Sequence, residues 1–198
     1  MRSDHPTTGG VHILDNFIEE DTAQLIEQII MSQPRVVLTE LTDDGVNYYP
    51  ATKKGEKDRE YTQPSLLVQT TDELHNLIFP YIEKIHKQIE FIWKRSVGFE
   101  NGFNISGYRK GEMLPTHYDG LRLDLATPAG YESRDVSSVL YLNSGFTGGS
   151  LEFPNLGITI SPKKGMLALF PSSEKYSHNV TAVNSGVRFF MTQFWCLQ

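Results

Sequence analysis

GMLALFPSSEKYSHNVTAVNSGVRFFMTQFW, residues 165–195, decides the fold class. Three β-type runs, GMLALFPS, HNVTAV and VRFFMTQFW, follow one another, separated only by the short polar links SEKYS and NSG. β-Branched and aromatic residues bounded by turn formers read as short strands. Upstream, GITISP, SLEFPN, SSVLYLNS and NGFNISGYR repeat the texture back to residue 101. Roughly seven or eight strands at this spacing predict a sandwich or a small barrel. Alternation along the last strand places Arg188, Phe190, Thr192 and Phe194 on one face.

Before residue 101 the hydrophobic period changes. In EEDTAQLIEQIIM (19–31), Thr22, Leu25, Ile26, Ile29 and Ile30 recur at helical spacing, and Pro34 is expected to close that helix. TDELHNLIFPYIEKIHKQIEFIW (71–93) carries a longer stripe, running from Leu74 and Ile78 through Ile85 to Ile92. Thr70 and Glu73 are spaced for a capping box, and Pro80 predicts a kink or a break. His75 and His86 on this helix read as surface or packing residues, and Trp93 and Trp195 as core. Residues 43–61 are polar, hold Gly45, Gly55 and the run KKGEKDRE, and read as a long loop. That loop is expected to act as a lid, with Tyr48 or Tyr49 against a substrate. The whole, 1–198, reads as one domain, mainly β with N-terminal α-helices: 1–100 give helical support and the lid, and 101–198 the β core with any site.

Composition narrows the function classes. The chain has 198 residues, 39% hydrophobic and 21% charged, which fits a globular protein with a sizeable core. Its formal net charge of −6 disfavours phosphate backbones, so no nucleic-acid partner is expected. The single cysteine, Cys196, excludes an intramolecular disulfide and cysteine-based zinc sites, and fits a reducing, cytoplasmic setting. MRSDHPTTGG at the N-terminus lacks an apolar signal region, and no run is long enough to span a bilayer, so no membrane partner is expected either.

The chemistry begins at PTHYDG, residues 115–120. On a strand, His117 and Asp119 would share a face, as a metal-ligand pair if a third ligand arrives and as an ordinary polar edge if none does. His178 is the candidate third ligand, and Arg188 follows ten residues later. An arginine on the inner face of a barrel needs an anionic partner, and neighbouring inward positions supply no obvious carboxylate. A bound dicarboxylate, held bidentately, would serve. Two histidines and one carboxylate leave coordination positions open, the arrangement expected of non-haem Fe(II) oxygenases, whereas a structural zinc site would want a fourth protein ligand.

From Asn104 to Trp195 the chain resembles the Fe(II)- and 2-oxoglutarate-dependent dioxygenases, specifically their prolyl 4-hydroxylase-like branch. The matching pieces are GYRKGEMLPTHYDG, SSVLYLNSGFTGGSLEFP and GMLALFPSSEKYSHNVTAVNSGVRFFMTQFW. The resemblance implies a double-stranded β-helix core (jelly-roll, cupin-like) with His117, Asp119 and His178 as the iron-binding, catalytic set. It implies that Arg188 grips the distal carboxylate of 2-oxoglutarate, with Tyr108 and Tyr141 nearby and Thr192 bordering the same pocket. Both tyrosines read equally well as core aromatics with satisfied hydroxyls. The implied cofactors are Fe(II), 2-oxoglutarate as cosubstrate, O2, and ascorbate as reductant.

The implied reaction converts 2-oxoglutarate to succinate and CO2 while hydroxylating an unactivated C–H bond. A prolyl residue in a peptide or protein is the favoured substrate, a free amino acid or small metabolite the alternative, and a non-enzymatic jelly-roll binding module the rival from another class. A carboxylate at Asp119 favours hydroxylation, because related halogenases have a small residue there. Phe194 stands where nucleic-acid demethylases of the superfamily carry a second arginine, which counts against that branch. Gly148 and Gly149 read as a tight hairpin turn. The segment 120–136, with Arg122, Asp124 and Arg134, is a candidate substrate-contact region.

Overall fold

The computed structural model describes residues 7–8, 10–33, 35–37, 66–68, 70–99, 103–123 and 131–198. The expected lid over 43–61, with Tyr48 and Tyr49, lies outside these residues, as do Pro34 and Asp124. The chain opens with β1 (Thr7–Thr8), β2 (Val11–Leu14), helix α1 (Glu20–Ser32), β3 (Arg35–Val37), β4 (Leu66–Val68), helix α2 (Asp72–Trp93) and β5 (Val97–Phe99). Then come β6 (Asn104–Arg109), β7 (Leu114–His117), β8 (Leu121–Leu123), β9 (Tyr131–Ser133), β10 (Val136–Tyr141) and β11 (Thr147–Gly148). The last strands are β12 (Leu151–Phe153), β13 (Ile158–Ile160), β14 (Leu167–Pro171), β15 (His178–Val180), β16 (Val183–Ser185) and β17 (Val187–Leu197).

The strands form two main antiparallel sheets. The larger runs β1-β2-β14-β10-β17-β6-β4-β3, with β5 also paired to β17; the smaller runs β13-β12-β15-β7. Two-stranded ribbons join β8 to β9 and β11 to β16. Strict alternation divides the large sheet into two faces. Leu140 on β10, Leu167 and Leu169 on β14, and Phe189, Met191 and Trp195 on β17 belong to the core that holds both helices. Val139, Tyr141, Ala168, Phe170, Tyr108 and Phe190 belong to the second core, shared with Leu151, Phe153 and Val180 of the small sheet. The sandwich expectation thus resolves into a double-stranded β-helix with helices on its outer face.

Both helices are held by one apolar face. On α1, Ala23, Ile26, Ile29 and Ile30 are buried, while Glu20 and Asp21 lie in the first turn, where negative charge meets the positive end of the helix dipole. Leu25, expected within the stripe, is 42% exposed, because Ala23 takes the core-facing position and turns Leu25 to the flank. On α2, Leu74, Ile78, Tyr81, Ile82, Ile85 and Ile89 are buried. Each buried isoleucine contributes about 2 kcal/mol of hydrophobic free energy.

Two expectations for α2 are corrected. The N-cap is Thr71, whose hydroxyl accepts from the Leu74 backbone N–H at 3.3 Å, rather than Thr70. The helix also runs unbroken through Pro80. Proline cannot donate to the carbonyl one turn earlier, but Asn76 and Pro80 are both exposed, so water can satisfy that group. The Gly148–Gly149 pair is not a hairpin turn: it carries the chain from β11, paired with β16, into β12 of the small sheet. Among the described residues, no helix is long and apolar enough to cross a membrane.

Candidate active site

Between the two sheets lies a pocket of about 530 Å³, lined by residues that include His117, Asp119, His178, Arg188, Phe190 and Thr192. His117 and His178 reach it from β7 and β15, where they are direct cross-strand partners, with ring centroids 4.4 Å apart. His117 is the last residue of its strand, and Asp119 lies beyond the strand end. The carboxylate is therefore brought to the imidazoles by the turn after β7, not by strand alternation.

The candidate ligand atoms of His117, Asp119 and His178 all lie within 4.8 Å of one another. Asp119 Oδ1 is 3.5 Å from His117 Nε2, and Oδ2 is 3.6 Å from His178 Nε2. On each imidazole the far nitrogen meets a backbone carbonyl, His117 Nδ1 with Pro115 O at 2.8 Å and His178 Nδ1 with Tyr176 O at 3.0 Å. Each Nδ1 must donate to such a partner, which leaves the Nε2 lone pairs directed at the site in the neutral rings. Phe170 and Phe153 pack around the His178 ring, at 4.8 and 5.6 Å between centroids.

Electrostatics set the charge states. Burial works to neutralise Asp119, but its hydrogen bond with His117, the His178 ring and the Ser137 hydroxyl outweigh it and hold the carboxyl below its usual range. Burial also disfavours the charged form of His117, yet the Asp119 and Pro115 contacts prevail and raise its pKa. At His178 burial prevails over the Asp119 attraction, and the pKa is lowered. An ionised carboxylate beside two imidazole nitrogens suits a divalent ion of intermediate hardness.

Arg188 lies at the inner end of the pocket and is 1% exposed. Its Nε and Nη1 have no hydrogen-bond partner among the described residues, and neither does the Tyr141 hydroxyl. The guanidinium sits 4.7 Å from the Phe190 ring centroid, 4.9 Å from Tyr141 and 5.4 Å from Tyr108. Aromatic faces stabilise the cation but offer no acceptor in the plane of its N–H groups. Burial pushes both tyrosines upward, with Arg188 opposing in part, so both keep their hydroxyl protons at neutral pH. Tyr108 and Thr192 line the pocket wall, whereas Tyr141 lies behind the guanidinium. A buried cation with unpaired donors beside two protonated phenols fits a carboxylate-bearing ligand.

Three supporting groups were not singled out by sequence reasoning. Ser137 Oγ donates to Asp119 Oδ2 at 2.7 Å and also meets Ser172 Oγ at 2.8 Å. Asn143 brackets Arg188: its Nδ2 donates to Val187 O at 2.7 Å, and its Oδ1 accepts from the Phe189 N–H at 2.7 Å. All three are small polar residues at buried positions, and in SSVLYLN the polar letters at inward positions were the available signal. Of the proposed substrate-contact segment, Arg134 stacks on the Phe194 ring at 3.5 Å, and Phe194 lines the pocket.

Fold and site together define a jelly-roll protein with a two-histidine, one-carboxylate cluster facing a buried arginine. Residues 103–196 match the model of the 2OG-Fe(II) oxygenase superfamily. The chain is 27% identical to human prolyl 3-hydroxylase 1 over 156 residues, which is 73% of this chain but 21% of the relative. It thus spans about a fifth of that relative's length. Among solved structures it is similar to the viral collagen prolyl hydroxylase of Paramecium Bursaria Chlorella virus-1 in its 2OG complex: TM-score 0.62, 19% identity, covering 94% of this chain and 95% of that one. A Trichoplax adhaerens prolyl hydroxylase in complex with a peptide fragment of the hypoxia inducible factor gives a TM-score of 0.62 at 18% identity, covering 95% and 84% of the two chains. The structural likenesses establish the shared fold. The family uses Fe(II), 2-oxoglutarate and O2, and the donor set here fits the iron.

Proposed function

We propose that this chain is an Fe(II)- and 2-oxoglutarate-dependent dioxygenase that hydroxylates a prolyl residue in a peptide or protein. The observation that carries the reading is the pairing, in one pocket, of the His117–Asp119–His178 cluster with the unpartnered guanidinium of Arg188. The two Nε2 atoms and one Asp119 oxygen would hold Fe(II), and Arg188 would receive the distal carboxylate of 2-oxoglutarate. Tyr108 and Tyr141 supply hydroxyl donors around that end, and Thr192 borders it. When bound, the iron with 2-oxoglutarate and O2 supplies the oxidation, with ascorbate as reductant.

The protein's part is placement. Leu114, Val139, Leu151, Val180, Phe190 and Phe194 give the pocket an apolar wall, which limits water at the reacting carbon and suits a pyrrolidine ring. The similarity to prolyl 3-hydroxylase 1 and to two prolyl hydroxylases supports a prolyl target. The whole chain is taken as one domain, 1–100 supporting the core of 101–198, in a cytoplasmic setting.

The test is to incubate purified, Fe(II)-loaded protein with 2-oxoglutarate and either a set of proline-containing peptides or a panel of free amino acids. Succinate release coupled to gain of one oxygen atom on a peptide proline is expected. Oxygen gain on a free amino acid alone would replace the peptide reading. Absence of succinate under every condition would favour a binding module.

A further inference from the structure

We infer that Ser137, itself oriented by Ser172, holds Asp119 as a one-oxygen ligand and so keeps one coordination position of the metal free for the reactants. The inference rests on the proposed metal-binding role of the His117–Asp119–His178 cluster. Ser137 is a positioning residue, since it acts through Asp119.

An ionised carboxylate has no proton to give, so Asp119 is an acceptor only. Ser137 has a single hydroxyl proton, and its Oγ lies 2.7 Å from Asp119 Oδ2, so the proton is committed there. The contact of 2.8 Å between the two serine oxygens then has only one possible polarity, with Ser172 donating to Ser137. Both serines are buried, 0% and 1% exposed, so water does not compete for either bond. In such a setting an accepting hydroxyl is a better donor, and a hydrogen bond to a carboxylate is among the stronger kinds.

The fold fixes both serines. Ser137 shares the inner face of β10 with Val139 and Tyr141. Ser172 follows β14, with its N–H bonded to Asp135 O at 2.9 Å. On the other side, Gly120 packs against this corner: a Cβ at position 120 would lie 2.9 Å from Ser172 O. The glycine lets the chain leave Asp119 while staying against the Ser172 backbone.

The Ser137 hydrogen bond draws on a lone pair of Oδ2, which makes Oδ1 the better donor to an ion. A carboxylate bound through both oxygens would take one more position than a carboxylate bound through one. The hydroxyl of Ser137 therefore biases the site toward one-oxygen binding, with one more position for cosubstrate, O2 and solvent.

The experiment compares wild type with Ser137→Thr, Ser137→Val and Ser137→Ala, each saturated with Mn(II). Water-proton relaxation counts the exchanging waters bound to the ion. Threonine and valine are nearly isosteric and share any crowding from the added methyl, so they differ mainly in the hydroxyl; alanine removes the hydroxyl without crowding. Ser137→Thr should match wild type, while Ser137→Val and Ser137→Ala should each hold one fewer exchanging water. Equal counts across all folded variants would overturn the inference while leaving the proposed function standing. A wild-type protein that binds no Mn(II) at the cluster would sink the proposed function and this inference with it.

Discussion

His117 and His178, 61 residues apart in sequence, are direct partners in the antiparallel pairing of β7 with β15. A register slip of one residue would send one imidazole to the opposite face, so the cluster exists only in this pairing. The irregularity between His178 and Val180 lies inside the same pair, where it re-aims side chains next to the site.

This pairing predicts that the two histidines differ in their weight for stability but not for metal binding. His178 is 5% exposed and packs against Phe170 and Phe153, while the His117 side chain is 34% exposed. His178→Ala should lower stability by on the order of 2 kcal/mol through lost packing, and His117→Ala by much less. Both should weaken Mn(II) or Fe(II) binding beyond the roughly 10–100-fold seen for loss of a supporting hydrogen bond. Chemical denaturation and metal titration read the two effects separately. Retained metal affinity in either variant would remove that histidine from the cluster.

Arg188 predicts an opposition between function and stability. A guanidinium with two unpartnered nitrogens is costly in a dry pocket until an anion arrives. Without 2-oxoglutarate, Arg188→Met should therefore be more stable than wild type, by on the order of 1 kcal/mol. Added 2-oxoglutarate should raise the melting temperature of wild type and leave the variant unmoved. Arg188→Lys, which keeps the charge but not the fork of donors, should recover part of the cosubstrate affinity, whereas Arg188→Ala should lose about 30-fold or more. If Arg188→Met melts lower than wild type and still responds to 2-oxoglutarate, the anchor lies elsewhere.

Much of this site was legible because its signals are local or periodic. Alternation alone placed Arg188, Phe190, Thr192 and Phe194 on one face, and all four line the pocket. The helical stripes were equally plain, apart from Leu25, since a single exposed leucine at the edge of a stripe depends on what packs beside it. The polar relay from Ser172 through Ser137 to Asp119 was not legible. It depends on how the turn after β7 returns to β10 and β14, a tertiary relation that no spacing encodes. The same holds for Asn143, whose partners lie 44 and 46 residues away on β17.

Glu19 predicts a change of stability in acid. Hydrogen bonding from Tyr81, the largest influence, together with Lys84 lowers its pKa from the usual 4.5 to about 2. Lys84 lies 3.1 Å from the carboxylate and also donates to Phe17 O at 2.7 Å, tying α2 to the entry of α1. A depressed carboxyl stabilises the fold fully above pH 4.5, and that contribution fades as the pH falls toward about 2. The group is largely exposed, so its worth should stay under about 1 kcal/mol. Denaturant unfolding of wild type and Glu19→Gln should differ at neutral pH and converge near pH 2. A difference that stays constant across that interval would assign the effect to something other than this ionisation.

The last prediction separates two glycines that share a backbone conformation. Gly149 has φ +65° and Gly145 has φ +78°, both in the region where a side chain is strained. A Cβ at Gly145 would meet nothing within 4 Å, whereas a Cβ at Gly149 would lie 2.8 Å from Arg188 Cδ and 3.2 Å from Val183 Cγ2. The strain alone should cost each alanine variant about 1 kcal/mol. Gly149→Ala must in addition displace the stem of Arg188 or distort the link between β11 and β12. Its guanidinium would then miss the carboxylate proposed to bind there, and even a shift of about 1 Å at a binding group is costly. Gly149→Ala should thus lose 2-oxoglutarate affinity at least tenfold, with Gly145→Ala close to wild type despite a similar drop in melting temperature. Titrating 2-oxoglutarate into both Mn(II)-loaded variants makes the comparison. Equal affinities would show that the arginine stem has room to move, and that Gly149 serves only the backbone turn.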